Sequence, residues 1–174
     1  MILYISAGYE KWSNTCKNRY VVYCVDFCSK FCDNAKKLGI DNVYNIRIQD
    51  INFNNKFNGI WACASLLHIE SNELSDVFNK CADALKENGI IYASFKYGNF
   101  KGIRVSRYYL DLNEDVIKKY ITSVNLSLIE FKISNDIRCN NTKWLNVILK
   151  KKLNSLKFWV NILLILRSFF YLKT

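Results

Sequence analysis

The chain has 174 residues, a length that predicts one domain. Hydrophobic residues make up 51% and charged residues 23%, which excludes disordered and fibrous classes; with no proline and only six glycines, collagen-like, linker-rich and glycine-repeat readings fail too. The net charge of +10 is uneven: residues 1–100 carry 11 Lys/Arg against 10 Asp/Glu, whereas residues 101–174 carry 14 against 5, and no acid follows Asp136. A basic end of this kind suits phosphates, nucleic acid or anionic lipid, or is a solvated surface without a partner.

Short apolar runs alternate with helical patterns along the chain. Residues 2–6 (ILYIS) and 20–26 (YVVYCVD) are β-branched and aromatic, too short for helices, and read as strands with a short helix between them. Residues 28–38 read as a helix with Lys36 and Lys37 in its last turn and Gly39 as a stop. Residues 42–48 (NVYNIRI) alternate as a strand does, and the apolar run 59–66 (GIWACASL) suits a strand buried on both faces. A helix over 72–86 places Leu74, Val77, Phe78, Cys81 and Leu85 on one face, with Ser71 as its N-cap. Asn88-Gly89 then opens a strand over 90–96 (IIYASFK). Residues 113–122 read as a short helix, acids first and lysines last, in keeping with the helix dipole.

Two further apolar runs, 126–133 and 143–149, are separated by a stretch too short for a helix and should form an antiparallel hairpin. The fold class is therefore α/β: a mostly parallel sheet covered on both faces, with right-handed crossovers and an antiparallel last strand.

Seven cysteines (16, 24, 28, 32, 63, 81 and 139) are an odd count, and the opening residues lack the charged-then-apolar pattern of a secretory leader, so reduced thiols in a cytoplasmic protein are expected. No Cys-x-x-Cys pair is present and His68 is the only histidine, so a metal site is not expected.

Four segments carry a family resemblance: Asp26-Phe27 closing the second strand, Gln49-Asp50-Ile51 after the third, the run from Phe57 to Ile69 (FNGIWACASLLHI), and the run from Leu85 to Gly98 (LKENGIIYASFKYG). With the terminal stretches Asp136–Arg138 and Lys143–Val147, they resemble the class I S-adenosylmethionine-dependent methyltransferases, most closely the small tellurite-resistance-like group, over roughly residues 20–150. The resemblance implies a Rossmann-like, seven-stranded sheet over residues 1–150. It implies S-adenosylmethionine as cofactor and a small-molecule acceptor. A catalytically inactive, methyltransferase-like binding module is the alternative.

The resemblance also implies the cofactor residues. Asp26 would accept the ribose hydroxyls, with Phe27 beside it. Asp50 would take the adenine amino group, with Ile51 packing on the ring. Ala64 and Ser65 would line the methionine part, and Ser6 and Gly8 would stand in the loop after the first strand. Ligands of open α/β sheets bind at the carboxyl ends of the strands, where all of these lie. No catalytic residue is assigned: His68 is near enough to act as a base, but a structural hydrogen bond is the favoured reading. Lys96 and Tyr97 are candidate acceptor-pocket residues.

Two features depart from the family pattern. Its glycine-rich loop is reduced here to Tyr4-Ile5-Ser6-Ala7-Gly8-Tyr9-Glu10, with side chains at Ser6 and Glu10 expected to crowd the cofactor. The chain also begins directly at the first strand, which suggests an N-terminally truncated or degenerate member. Residues 151–174 lie outside the resemblance. They are rich in Leu, Ile, Phe and Trp, and Asn154, Lys157, Asn161 and Ser168 continue a narrow polar stripe at helical spacing from Lys150. A basic, apolar C-terminal helix is expected, covered by the domain or by an anionic membrane surface. Nucleic acid stays open as an anionic partner.

Overall fold

The structure is a computed structural model, and it describes residues 1–6, 19–137 and 139–152. The Gly8 loop with its expected short helix, and the expected C-terminal helix, lie outside the described residues. Nine strands are described: β1 (Ile2–Ile5), β2 (Val22–Val25), β3 (Asn42–Tyr44), β4 (Phe57–Ala62), β5 (Leu85–Lys96), β6 (Lys101–Arg104), β7 (Arg107–Leu110), β8 (Leu126–Asp136) and β9 (Cys139–Lys151). Three α-helices accompany them: α1 (Ser29–Lys37), α2 (Leu74–Ala84) and α3 (Glu114–Ile121).

Seven strands form one sheet in the order β3-β2-β1-β4-β5-β9-β8. The pairs from β3 to β5 are parallel, and β9 runs antiparallel to both of its neighbours, β5 and β8. The mixed sheet with an antiparallel last strand, and the terminal hairpin, are as the sequence implies. The strand order reverses direction between β1 and β4, because β1 leads outward to β2 and β3 while β4 and β5 build on its other side. That reversal is the topological switch point, beside which such sheets bind ligands.

The larger core joins inward residues of β4, β5 and β9 (Ile60, Ala62, Ile91, Phe95, Val147, Leu149) to Leu74, Val77 and Phe78 of α2 and Ile117 of α3. A smaller cluster lies on the opposite face, where Ala35 of α1 and Ile40 pack on Tyr4, Val22 and Cys24. α1 ends as expected, with Lys36 and Lys37 in its last turn and Gly39 at φ 79°, a left-handed turn that favours glycine. Asn113 caps α3, its side-chain oxygen accepting from the amides of Asp115 and Val116 at 3.1 and 2.9 Å.

Several elements differ from expectation. The third strand stops at Tyr44, and Ile48–Asp50 form a 3-10 turn closed by the Asp50 amide donating to the Arg47 carbonyl at 3.0 Å, with the two side chains paired across it. The fourth strand starts earlier, at Phe57, and ends at Ala62; Ala64 then takes φ 49° and Leu66–His68 form a second 3-10 turn. Ser71 does not cap α2. The helix starts at Leu74, and Glu70 instead receives the amides of Glu73 and Leu74. The largest addition is the two-stranded hairpin β6–β7, placed between β5 and α3. No helix among the described residues is long and apolar enough to cross a membrane.

Candidate active site

The carboxyl ends of β2, β1 and β4 lie side by side. Asp26, Phe27 and Ser6 follow β2 and β1 directly, Ala64 and Ser65 come just after β4, and Asp50 and Ile51 lie farther on, at the end of the 3-10 turn after β3. Asp26 follows β2 with its residue 7% exposed. Its Oδ1 accepts the Cys28 amide at 2.8 Å, closing a turn that leads into α1. Its backbone is held on the other side, where the Asp26 amide donates to the Tyr44 carbonyl at 3.2 Å and Asn45 donates its side-chain amide to the Asp26 carbonyl at 3.0 Å. The carboxylate is thus fixed at the strand end before any ligand arrives. Phe27, next in the chain, is exposed.

Ser6 ends β1 with φ 85°, its amide donating to the Val25 carbonyl at 2.9 Å. A left-handed conformation at this point turns the backbone away from the strand, and in an L-residue it costs about 1–2 kcal/mol. Beyond β4, Ala64 is also left-handed, and its amide donates to the buried Ser94 hydroxyl of β5 at 2.8 Å. Ser65 follows with a buried Oγ that has no hydrogen-bond partner among the described residues. An orphaned buried hydroxyl costs about 1–3 kcal/mol, so this one marks a place where a polar ligand atom would be stabilising.

Asp50 lies after β3 and is paired with Arg47 by two hydrogen bonds, 2.8 and 3.0 Å long. Those bonds hold its carboxyl below the usual carboxylate range, assisted by the charges of Arg47 and Lys80 and opposed by desolvation. Each carboxylate oxygen has a second lone pair, so the pairing leaves capacity for a further donor. Ile51 is 2% exposed and belongs to the main core.

Next to this edge is a cavity of about 470 Å³, lined by Ala64, Leu67, His68, Lys96, Tyr109 and Trp144 among others. Lys96, at the end of β5, is one of these lining residues. Tyr97 is not among the lining residues; the Glu114 carboxylate beside it pushes its phenol up. His68 Nδ1 lies 2.8 Å from the Tyr108 carbonyl oxygen, and its ring meets Tyr109 edge-on at 4.7 Å between centroids. A carbonyl only accepts, so Nδ1 carries the proton and Nε2 is the acceptor of the neutral ring. The expected structural hydrogen bond exists, and it also leaves the ring in a form able to take a proton.

Sequence reasoning missed the partners that organise these residues. The β6–β7 hairpin brings Tyr108 and Tyr109 to His68. Arg104 of that hairpin pairs with the buried Asp111 through two bonds of 2.9 and 2.7 Å. Ser94 was visible as a lone hydroxyl in an apolar strand, a signal that something must bond it. Burial pushes the Cys24 and Cys81 thiols up to about 12, which keeps them protonated and unreactive. Among the described residues no group of three His, Cys, Asp or Glu could hold a metal ion.

A sheet of this strand order, with its switch point between β1 and β4 and an antiparallel strand beyond β5, is the Rossmann-like architecture that the resemblance to S-adenosylmethionine-dependent methyltransferases implied. Residues 3–93 match the family model described as a methyltransferase domain, and the chain belongs to that family. Solved structures agree on the fold. An S-adenosylmethionine-dependent methyltransferase from Methanosarcina mazei is 15% identical, with a TM-score of 0.74, covering 88% of this chain and 92% of that one. The 1,6-didemethyltoxoflavin-N1-methyltransferase of Burkholderia thailandensis, solved with 1,6-didemethyltoxoflavin and S-adenosylhomocysteine bound, is 11% identical, with a TM-score of 0.72, covering 87% and 71%. The [4+2]-cyclase SpnF is 12% identical, with a TM-score of 0.68, covering 88% and 75%. No curated protein matches by sequence. The cyclase among these neighbours illustrates that one fold carries more than one activity, so the chemistry must be argued from the site.

Proposed function

We propose that the protein is an S-adenosylmethionine-dependent methyltransferase acting on a small-molecule acceptor. The observation that carries this reading is the Asp26 carboxylate, fixed by the Cys28 amide at the carboxyl end of β2, between the ends of β1 and β3. A carboxylate held there is suited to the two ribose hydroxyls of an adenosine-containing ligand. Asp50 would receive the adenine amino group, with Phe27 beside the ribose; Ile51, expected to pack on the ring, is instead enclosed in the main core and has no side-chain surface left for it. The unpartnered Ser65 hydroxyl, Ala64, and the loop from Ser6 to Gly8 would flank the methionine part.

The cofactor supplies an activated sulfonium methyl group, so the chain's own task is chiefly to align the acceptor and exclude water. Alignment of that kind is worth roughly 7–11 kcal/mol in the best intramolecular cases. The cavity beside Ala64 is placed to hold the acceptor, with Tyr109 and Trp144 as aromatic walls and Lys96 as a cation. Where the acceptor must lose a proton, His68 Nε2 takes it while Tyr108 holds Nδ1. The run from Phe57 to Ile69 and the terminal hairpin favour the tellurite-resistance-like group within the family, and reduced thiols favour the cytoplasm.

Calorimetric titration with S-adenosylhomocysteine tests this reading. Saturable binding that Asp26→Ala abolishes, with the variant still folded, is the expected result. Absence of binding at millimolar ligand refutes it and leaves a methyltransferase-like interaction module.

A further inference from the structure

Among the described residues, the two faces of the sheet are covered unequally. On one face α2 and α3 lie over the inward residues of β5 and β9. On the other, α1 covers only the β1–β3 half. The register aligns a row across that second face: Cys24, Tyr4, Trp61, Tyr92, Ile148 and Glu130. Trp61 stacks on Tyr92 at 4.2 Å between centroids. Beyond Trp61 no described helix lies over the row. Ile90, the next residue on this face of β5, is 47% exposed. Tyr92, Phe131 and Ile148, with Glu130, Lys132 and Asn146, line an open groove of about 340 Å³.

We propose that the occupant of this face is the chain's own C-terminal segment, residues 153–172, folded back as a helix over β5, β9 and β8. The take-off point is fixed at the end of β9, four residues past Ile148 of the groove. The Lys152 amide donates to the Asn125 carbonyl at 3.1 Å, Lys152 Nζ to the Val124 carbonyl at 3.0 Å, and Lys151 Nζ to the Leu85 carbonyl at 2.6 Å. The length fits as well. From Trp144 to Lys150 the strand rises about 20 Å, and a helix of about 20 residues spans roughly 30 Å, enough to return along the whole uncovered strip.

Composition agrees with both elements. The segment is mostly apolar, with a polar stripe at helical spacing that only Ser155 and Arg167 depart from, and it contains no acid to repel Glu130. The crossover between β1 and β2 is a poorer occupant. It begins and ends on those strands, and β9 lies three strands away from β1, about 14 Å at 4.8 Å per strand.

The test uses the full chain in vesicle-free buffer. Trypsin should cut after Lys157 and Arg167 at least tenfold more slowly in the unaltered protein than in Ile90→Glu/Ile148→Glu. Those two side chains are not in the closed core, so their replacement should leave the sheet intact. Hydrogen exchange of the unaltered chain gives the same answer without a variant, with the amides of 156–168 expected to be protected. Exchange there at the rate of an unstructured peptide overturns the proposal, as does equal cleavage of both proteins. Protection that appears only with phosphatidylserine-containing vesicles overturns it in favour of a membrane surface. Protection that disappears on dilution overturns it in favour of a second copy of the chain.

Discussion

Replacing Arg104 with alanine should loosen the β6–β7 hairpin and, through it, His68. A two-stranded hairpin is at best marginally stable alone. This one is held by the Arg104–Asp111 pair, the His68–Tyr108 hydrogen bond, and Arg104 stacked on Phe100 at 3.8 Å. The pair is asymmetric: the Asp111 side chain is 7% exposed and that of Arg104 33%. Arg104→Ala strands a buried carboxylate, which costs about 3–5 kcal/mol. Asp111→Ala leaves a guanidinium that is one-third solvated and still stacked, and should cost only the lost charged hydrogen bonds, about 1.5–3 kcal/mol.

The assay is native-state hydrogen exchange at the amides of β6 and β7, since the hairpin opens locally before the sheet unfolds. At 1.4 kcal/mol per decade, Arg104→Ala should lower protection there by about two to three and a half decades. The single histidine gives a second reading, because its Nδ1–H signal should be lost along with Tyr108. The exposed Lys118–Asp115 pair is the control and should be worth under about 1 kcal/mol. A loss of protection in Arg104→Ala no greater than in Lys118→Ala, or an Asp111→Ala that proves the costlier of the two, would refute the stranded-carboxylate account.

Two further outcomes follow from local geometry. The turn of the same hairpin places Val105 at φ 45° and Ser106 at φ 68°, both in the region that two-residue hairpins fill with Asn-Gly, so Val105→Asn/Ser106→Gly should raise stability by about 1–2 kcal/mol in urea melts. Asp50 is held below its ordinary value of 3.8 by Arg47, so its contribution to stability is present above that value and is lost as pH falls through the lower folded-state value. Carboxyl NMR titration should therefore find its midpoint under 3.8, moving up toward it in Arg47→Ala.

The sheet was legible because its strands are apolar and β-branched and its helices carry acids, lysines or glycine at the expected ends. The β6–β7 hairpin was not. Its turn is Val105-Ser106, which lacks the Asn or Gly that normally announces positive φ, and its strands KGIR and RYYL are too short and too polar to show a period. The site divides in the same way. Asp26, Ala64 and Ser65 follow from strand order and resemblance. Ser94, Tyr108 and Asp111 act through pairings 30, 40 and 7 residues apart along the chain, which no local pattern encodes.

The loop after β1 is where sequence and structure argue most directly about function. The family pattern asks for glycine there, and the chain offers Ser6 in a conformation that favours glycine, φ 85°. The backbone at Ser6 thus still takes the conformation that glycine adopts most readily, although the residue has changed. Ser6→Gly removes about 1–2 kcal/mol of left-handed strain, while the added freedom of the unfolded chain takes back about 0.4–1 kcal/mol. Net stability should rise by about 0–1.6 kcal/mol. Binding is the sharper readout. If the Ser6 side chain crowds the methionine part of the ligand, Ser6→Gly should tighten S-adenosylhomocysteine binding well beyond that stability change, whereas Ser6→Ala, which keeps Cβ, should not. Equal affinity of all three proteins would show that the ligand does not approach the backbone at Ser6, and the placement of the methionine part at the end of β1 would then be wrong.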